Sequence, residues 1–242
     1  MLAIMNRLLL TCVVLLALTS AGATERATPD EFEQWMTYYY LAPHPEEVAS
    51  ALETVTVMGF FENDNVQAPL SGFFTGIFRA NPDKIGGWVK PYVGIPNRHI
   101  LYSALWMANS EESKAALKQM AQGAAPEEAK TLRGLASSPP PTIESMNIDG
   151  PASLDYMWGY FSASGSDKPV LRIIDQMKLV NTKGNISAML IGGAAQWSVS
   201  ANARQHEKVL KIVKEKAETA DPETRVLLKT ILAGIDAERA KK

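Results

Sequence analysis

The sequence predicts an all-α fold built from stacked helical hairpins. Apolar residues recur at the helical spacing of three and four positions, and capping residues followed by proline mark repeated helix starts. No segment shows the sustained alternation with β-branched residues that is typical of a strand. Within this class the hairpins form either a repeat-like α-α superhelix or an irregular bundle.

Residues 1–23 have the pattern of a secretory signal peptide. Arg7 is their only charged side chain, and it precedes an apolar run of about eleven residues. That run is shorter than the roughly 20 residues needed to span a membrane. Ala21 and Ala23 stand where a signal peptidase reads small residues, so we expect cleavage between Ala23 and Thr24. The expected location is the periplasm, and the alternatives are the extracellular space or anchoring by the uncleaved signal.

Export has consequences for the composition of the mature chain. Removing 23 of the 242 residues leaves 219, with a net charge of −3 and no cysteine, since Cys12 is the only one. An exported chain without disulfides fits a bacterial periplasm. The charge balance argues against a nucleic-acid partner, whose site would need a basic surface. No transmembrane span is expected after cleavage.

The predicted helices begin at capping sequences. Thr28 and Glu31 form a capping box around Pro29, and an apolar stripe then continues at helical spacing to Tyr39. Pro43 ends this helix, because proline cannot continue one. Later helices are expected after comparable starts at Pro45, Asn81, Asn97, Ser110, Pro126 and Asp221.

A proline-rich segment divides the mature chain. Residues 137–150 include three consecutive prolines and cannot be helical. We interpret them as a linker between an N-terminal helical lobe, residues 24–136, and a C-terminal helical lobe, residues 151–242. The alternative is a loop pinned across a single domain.

Four segments place an aromatic residue at the end of an apolar helix and small polar residues after it. They are residues 78–84, 106–111, 161–168 and 197–202. Each predicts a helix–turn–helix junction whose aromatic ring fills the space between paired helices. Helical-hairpin repeats have periods of comparable length, so these segments favour a repeat-like stack over an irregular bundle.

Two aromatic segments resemble parts of uncharacterised exported α-helical proteins of bacteria. They are YYYLAPHP at residues 38–45 and LDYMWGYF at residues 154–161. The resemblance implies a helical fold with hairpin organisation and an exported location, and it implies no activity.

No motif for catalysis or cofactor binding is present. His44, His99 and His206 lie far apart in a cysteine-free chain, so neither a metal site nor a cofactor is predicted. There is no Gly-x-Ser-x-Gly sequence and no phosphate-binding loop. Gly192 and Gly193 lie in a small, apolar helical run, where we expect them to permit close helix packing. We expect no enzyme, and a catalytic site assembled from distant residues remains the alternative.

Asp155 lies beside the apolar face of its predicted helix. If that carboxylate is partly buried it needs a partner, and Arg172 on the following helix is the candidate. We expect a structural ion pair between them, with a catalytic acid as the alternative.

The tyrosines are the best indication of a binding surface. Tyr38, Tyr39 and Tyr40 surround one helix end, and Tyr156 and Tyr160 lie off the apolar stripe of theirs. A single core face cannot bury all of these rings, and tyrosine is favoured at contact sites. They predict a non-enzymatic binding module that engages a protein or peptide partner. The alternatives are a periplasmic hydrolase with a dispersed active site, an apolar small-ligand carrier, and rings that only join helices. The oligomeric state is left open.

Overall fold

The computed structural model describes residues 28–241, where the chain forms twelve α-helices, short 3-10 segments and no strand. The predicted all-α class is confirmed. The predicted signal peptide and its cleavage point between Ala23 and Thr24 lie outside the described residues. The helices are α1 (Pro29–Tyr38), α2 (Val48–Val57), α3 (Asp64–Ala80), α4 (Ile85–Val89), α5 (His99–Ala108), α6 (Glu111–Gly123), α7 (Pro126–Ser137), α8 (Pro151–Ser164), α9 (Asp167–Gln176), α10 (Ile186–Gln205), α11 (Glu207–Thr219) and α12 (Pro222–Arg239).

Several helices begin where their caps predict. The Thr28 side chain accepts a hydrogen bond from the Glu31 amide at 3.3 Å, and the Glu31 carboxylate accepts one from the Thr28 amide at 2.8 Å. Ser110 caps α6, and Asp221 caps α12 by accepting from two amides of its first turn. These bonds satisfy backbone donors that a helix start leaves without partners.

Helix α3 lies at the centre of the described chain, and no capping argument from the sequence identified it. Asn63 caps it by accepting from the Asn65 amide, and every residue from 70 to 78 is buried. Its apolar residues do recur at helical spacing, from Val66 through Leu70 and Phe74 to Phe78, so the periodic pattern of this helix is present in the sequence. Pro69 also lies inside it, a position that ordinarily argues against a helix.

Helices α3 and α8 lie in backbone contact. A Cβ added to Gly72 would lie 1.9 Å from the Tyr156 carbonyl oxygen, and one added to Gly76 would lie 2.6 Å from the Ala163 Cβ. The pairing of residue 72 with 156 and of 76 with 163 means that the two helices run in the same direction. This is the most extensive contact between any two helices described, and it joins residues on opposite sides of the proline-rich segment.

The buried apolar side chains form two large clusters with a small one between them. The first comes from residues 32–136 together with Ala163, and the second from residues 154–235. Met107, Ile143 and Tyr156 form the third, so a residue of the proline-rich segment packs between the other two.

The proline-rich segment is held against the helices at both ends. The Trp106 indole donates to the Ser138 carbonyl at 2.9 Å, and the Arg172 guanidinium donates to the Met146 carbonyl at 2.8 Å. Glu144 forms an ion pair with Lys168 at 2.5 Å. These contacts attach the proline-rich segment to α5 and α9.

Three of the four predicted junctions join two helices. Asn109 and Gly165 adopt left-handed conformations after α5 and α8, with φ of 56° and 61°, and residues 78–84 lead from α3 into a short 3-10 segment before α4. The fourth prediction is wrong, because Trp197 lies in the middle of α10 and its ring is 74% exposed. Small and apolar residues continue the helix through that point, so it has no turn for the ring to fill.

Helix α10 packs closely at Gly192. A Cβ there would lie 2.0 Å from the Val180 amide nitrogen, whereas one on Gly193 would meet nothing within 4 Å. The prediction of close packing is therefore confirmed for Gly192 and wrong for Gly193. Among the helices of residues 28–241, none has both the length and the apolar character to cross a membrane.

Candidate ligand groove

Three successive tyrosines at the end of α1 turn to different parts of the fold. The Tyr39 ring is 4% exposed and packs edge-on against Phe73 with centroids 5.5 Å apart. Tyr38 and Tyr40 instead pack at a tilt against the imidazole of His206, with centroids 5.2 Å and 5.7 Å away. Tyr38 and Tyr40 therefore join α1 to the turn between α10 and α11.

The two tyrosines of α8 also have different surroundings. Tyr156 is buried, and its hydroxyl donates to the Thr75 hydroxyl at 2.9 Å, which in turn donates to the Ser71 carbonyl at 2.7 Å. Burial raises the pKa of Tyr156 to about 12. Tyr160 is half-buried beside Arg79, at the end of α8. Tyr156 is a part of the α3–α8 contact, and Tyr160 reaches the surface.

A groove with a volume of about 410 Å³ lies where α3 and α8 end side by side. We call it the Arg79 groove. Its walls include the ring of Tyr39, the two prolines after it and the small residues of the α3–α8 contact. Its polar lining residues are Tyr39, Arg79, Asn81, Tyr160 and Ser164. The groove therefore contains two of the five tyrosines that the sequence singled out.

Arg79 is half-buried in this groove and is held by neutral groups. Its Nε and Nη2 donate to the Met107 carbonyl at 3.1 Å and 2.7 Å, and its Nη1 donates to the Tyr160 hydroxyl at 3.3 Å. The guanidinium carbon lies 5.5 Å from the centroid of the Tyr160 ring. Three of the five N–H donors of a guanidinium are thus used, which leaves two.

No carboxylate within the described residues forms an ion pair with Arg79. Within those residues, the arginines that form an ion pair with a carboxylate are Arg98, Arg204 and Arg239. The nearby ammonium of Lys168 is paired with Glu144, which raises the pKa of Lys168, and the positive charge of Arg79 acts against that rise. The lost hydration of this half-buried cation is replaced only by neutral groups, without a counter-charge. The groove is thus suited to an anionic group.

The Tyr39 hydroxyl is buried and has no hydrogen-bond partner among the described residues. Burial, followed by the negative charges of Glu46 and Glu47, raises the pKa of Tyr39 to about 12. Its hydroxyl therefore stays protonated at neutral pH. A buried donor without an acceptor is unfavourable, so the buried position of this hydroxyl lowers the free energy of unfolding.

No protein-family model, curated protein or solved structure matches this chain.

The expected ion pair between Asp155 and Arg172 is not formed. The Arg172 guanidinium donates to the Met146 carbonyl, and Asp155 is exposed on α8 with no partner among the described residues. Partial desolvation alone raises the pKa of the Asp155 carboxyl. The pinned proline-rich segment brings a carbonyl to the arginine, and its path could not be derived from helical spacing.

Arg79 is the functional candidate that the sequence analysis missed. The pattern of residues 78–84 predicts only a helix junction, although it places one arginine at the end of an otherwise uncharged run of α3. A lone cation at the end of an apolar helix is a sequence feature that can identify such an arginine as a candidate binding residue. The sequence gives no means of showing, however, that its carboxylate partner is absent. In residues 28–241, no cluster of three or more histidine, aspartate or glutamate side chains is arranged to hold a metal ion.

Proposed function

We propose that this chain is an exported, non-enzymatic binding module of the bacterial envelope that engages a protein or peptide partner in the Arg79 groove. The proposal rests on one observation, the half-buried guanidinium of Arg79 without a carboxylate partner in the described chain. The signal-peptide pattern of residues 1–23 supports export, and the periplasm is the location proposed with it.

The chemistry of the groove favours an acidic partner. Two unused N–H donors on Arg79 can bind a carboxylate through charge-assisted hydrogen bonds, which are stronger than bonds between neutral groups. The half-buried ring of Tyr160 offers flat apolar area beside that charge, and tyrosine buries such area at a low cost in side-chain entropy. A peptide that ends in a free carboxylate, or that carries an aspartate or glutamate, fits both features.

The surroundings of two of the three histidines favour binding over hydrolysis. The imidazole of His206 shares a hydrogen bond with the Tyr40 hydroxyl at 3.2 Å, and that of His44 shares one with Glu46 at 2.9 Å. A serine nucleophile would need a histidine within hydrogen-bond reach of its hydroxyl. Neither of these two bonds involves a serine.

The proposal is tested by binding measurements on the mature chain, residues 24–242. Two pools of fluorescent peptides of randomised sequence are compared, one with free C-terminal carboxylates and acidic side chains, the other amidated and without acids. We expect the wild-type chain to bind the acidic pool and Arg79→Ala to lose at least about tenfold in affinity, as for an interfacial arginine anchor.

Matched variants separate binding from folding. Arg133→Ala removes an exposed arginine from α7 and should leave binding unchanged. Tyr160→Phe keeps the ring beside Arg79 and removes only the hydroxyl, so it should weaken binding less than Arg79→Ala. Thermal melting of each variant shows whether it is folded. Equal binding of both pools by the wild type, or unchanged binding by a folded Arg79→Ala chain, would contradict the proposal.

A further inference from the structure

Helix α10 exposes an apolar face to solvent. Ile186 and Trp197 are each 74% exposed, and Leu190 is 62% exposed. Met189 is exposed as well, and Gly193 has open space above it. These five residues follow one another at helical spacing, and we call them the α10 stripe. The opposite side of α10 is buried in the second apolar cluster, so the helix is apolar on both faces.

The α10 stripe groups several large apolar side chains on one exposed helix face. One tryptophan side chain buries about 150–250 Å² when it is fully covered. Three aliphatic side chains add to this, and contiguous apolar patches of roughly 300–600 Å² on a monomer are often functional. In a two-fold pair each partner contributes one such patch, which with the polar residues that border it supplies a large part of the ~800 Å² that each partner buries in a standard protein interface.

The charges of α10 indicate which partner fits. No charged residue occurs from position 186 to position 203. Arg204, the one charged residue of this helix, is neutralised by two hydrogen bonds to the Glu238 carboxylate at 2.8 Å and 3.0 Å. A face without charge meets its own copy without repulsion. A partner that relied on charge complementarity would find nothing on the stripe to pair with.

The spacing of the stripe is self-complementary about Gly193. Met189 lies four residues before this glycine and Trp197 lies four residues after it. In an antiparallel pair of α10 helices that crosses at Gly193, Trp197 of each copy meets the partner's Met189, and a thioether packs favourably against an aromatic ring. The absence of a side chain on Gly193 lets the two helices approach closely.

A cleft beside the stripe fits the same arrangement. It has a volume of about 630 Å³, lies between α10 and α12, and is lined by Trp197, Ala201 and Ile231 among others. Ile186 lies seven residues before Gly193, and Ser200 and Ala201 lie seven and eight residues after it. The antiparallel crossing therefore directs the partner's Ile186 towards this cleft.

We infer that the α10 stripe is the contact between two copies of this chain, paired antiparallel about a two-fold axis near Gly193. Such an isologous interface uses one patch twice and closes on itself. It is independent of the Arg79 groove, so either proposal can fail without the other.

The oligomeric state of the mature chain tests the inference. Sedimentation velocity on residues 24–242 should show a dimer of twice the chain mass that dissociates on dilution. Trp197→Glu should raise the dissociation constant at least about a hundredfold, because it buries a charge without a partner at the centre of the interface. Val57→Glu, which alters an exposed valine of α2, should leave the dimer intact.

Two further variants test the antiparallel register. A mixture of Met189→Lys and Trp197→Glu chains should recover a heterodimer, because the new charges face each other across the interface. Gly193→Cys should form an intermolecular disulfide on mild oxidation, since the mature chain has no cysteine of its own and the crossing brings the two positions together. Val57→Cys is the control and should not crosslink.

Three outcomes would contradict the proposed dimer. A wild-type chain that stays monomeric up to about 200 μM, far above the dissociation constant of a stable homodimer, would overturn the inference. Crosslinking of Val57→Cys but not of Gly193→Cys would overturn it too. Flotation of a monomeric chain with vesicles of phosphatidylethanolamine and phosphatidylglycerol, lost in Trp197→Glu, would show that the stripe binds lipid instead.

Discussion

Gly159 of α8 lies directly against the backbone of Pro69 in α3, so that a Cβ on this glycine would be 1.9 Å from the Pro69 carbonyl oxygen. Gly72 stands in the same relation to Tyr156. Two helices from opposite sides of the proline-rich segment thus touch through their main chains. Side chains cannot adjust to relieve an added methyl group here, because the atoms in its way belong to the backbone.

We therefore expect Gly159→Ala and Gly72→Ala to lower the free energy of unfolding by about 1–3 kcal/mol or more, as overpacked sites do. Urea denaturation measures the loss. The control is Gly134→Ala in α7, where a Cβ would meet nothing within 4 Å. It should raise the free energy of unfolding by about 0.5–1 kcal/mol, because alanine favours a helix more than glycine does. Equal stabilities for the three variants would mean that α3 and α8 separate at no cost.

Removing the hydroxyl from each of two buried tyrosines should change the free energy of unfolding differently. Tyr156 donates to Thr75, whereas the Tyr39 hydroxyl has no partner in the described chain. Tyr156→Phe should lower the free energy of unfolding by about 0.5–1.5 kcal/mol, the net contribution of one hydrogen bond. Tyr39→Phe should leave stability unchanged or raise it by about 1 kcal/mol, because it removes a desolvated donor. A loss of stability in Tyr39→Phe, measured by urea denaturation, would show that this hydroxyl is satisfied in solution.

His206 should make the fold sensitive to mild acid. Its side chain is 3% exposed among Tyr38, Tyr40 and Phe161, and burial lowers its pKa. The unfolded chain, with a histidine pKa of about 6.5, then binds more protons than the folded chain as the pH falls below that value. The stability associated with neutral His206 is complete above about pH 6.5, is lost as the pH falls towards the folded pKa, and is constant below it.

The measurement is the free energy of unfolding from about pH 7 to about pH 5, a range in which aspartate and glutamate side chains with ordinary pKa values stay largely ionised. We expect it to decrease with acidification in the wild type and to depend less on pH in His206→Gln. Identical pH dependence in the two chains would show that burial of the imidazole does not favour its neutral form.

Export and cleavage can be checked by the mass of the mature protein. In a bacterial host, we expect periplasmic material whose first residue is Thr24, because small residues occupy both recognition positions of the predicted site. Ala23→Phe should block cleavage at that bond, and Thr24→Ser should not. Accumulation of the protein in the cytosol with residues 1–23 attached would contradict the predicted signal.

The sequence alone determined the fold class and several helix boundaries. Thr28, Ser110 and Asp221 cap the helices that they predict, because capping is a hydrogen bond between residues two or three positions apart. The proline-rich segment is non-helical as expected, since proline excludes a helix wherever the rest of the chain lies.

The tertiary structure decided everything that depends on residues distant in the chain. It brought α3 against α8, paired Arg172 with a carbonyl rather than with Asp155, and left Arg79 without a carboxylate in the described residues. It also left Trp197 in solvent, although its sequence context resembles that of three helix junctions. Local patterns specify hydrogen bonds within a helix or a turn, whereas the packing of one helix on another depends on shapes and charges that approach only when the whole chain folds.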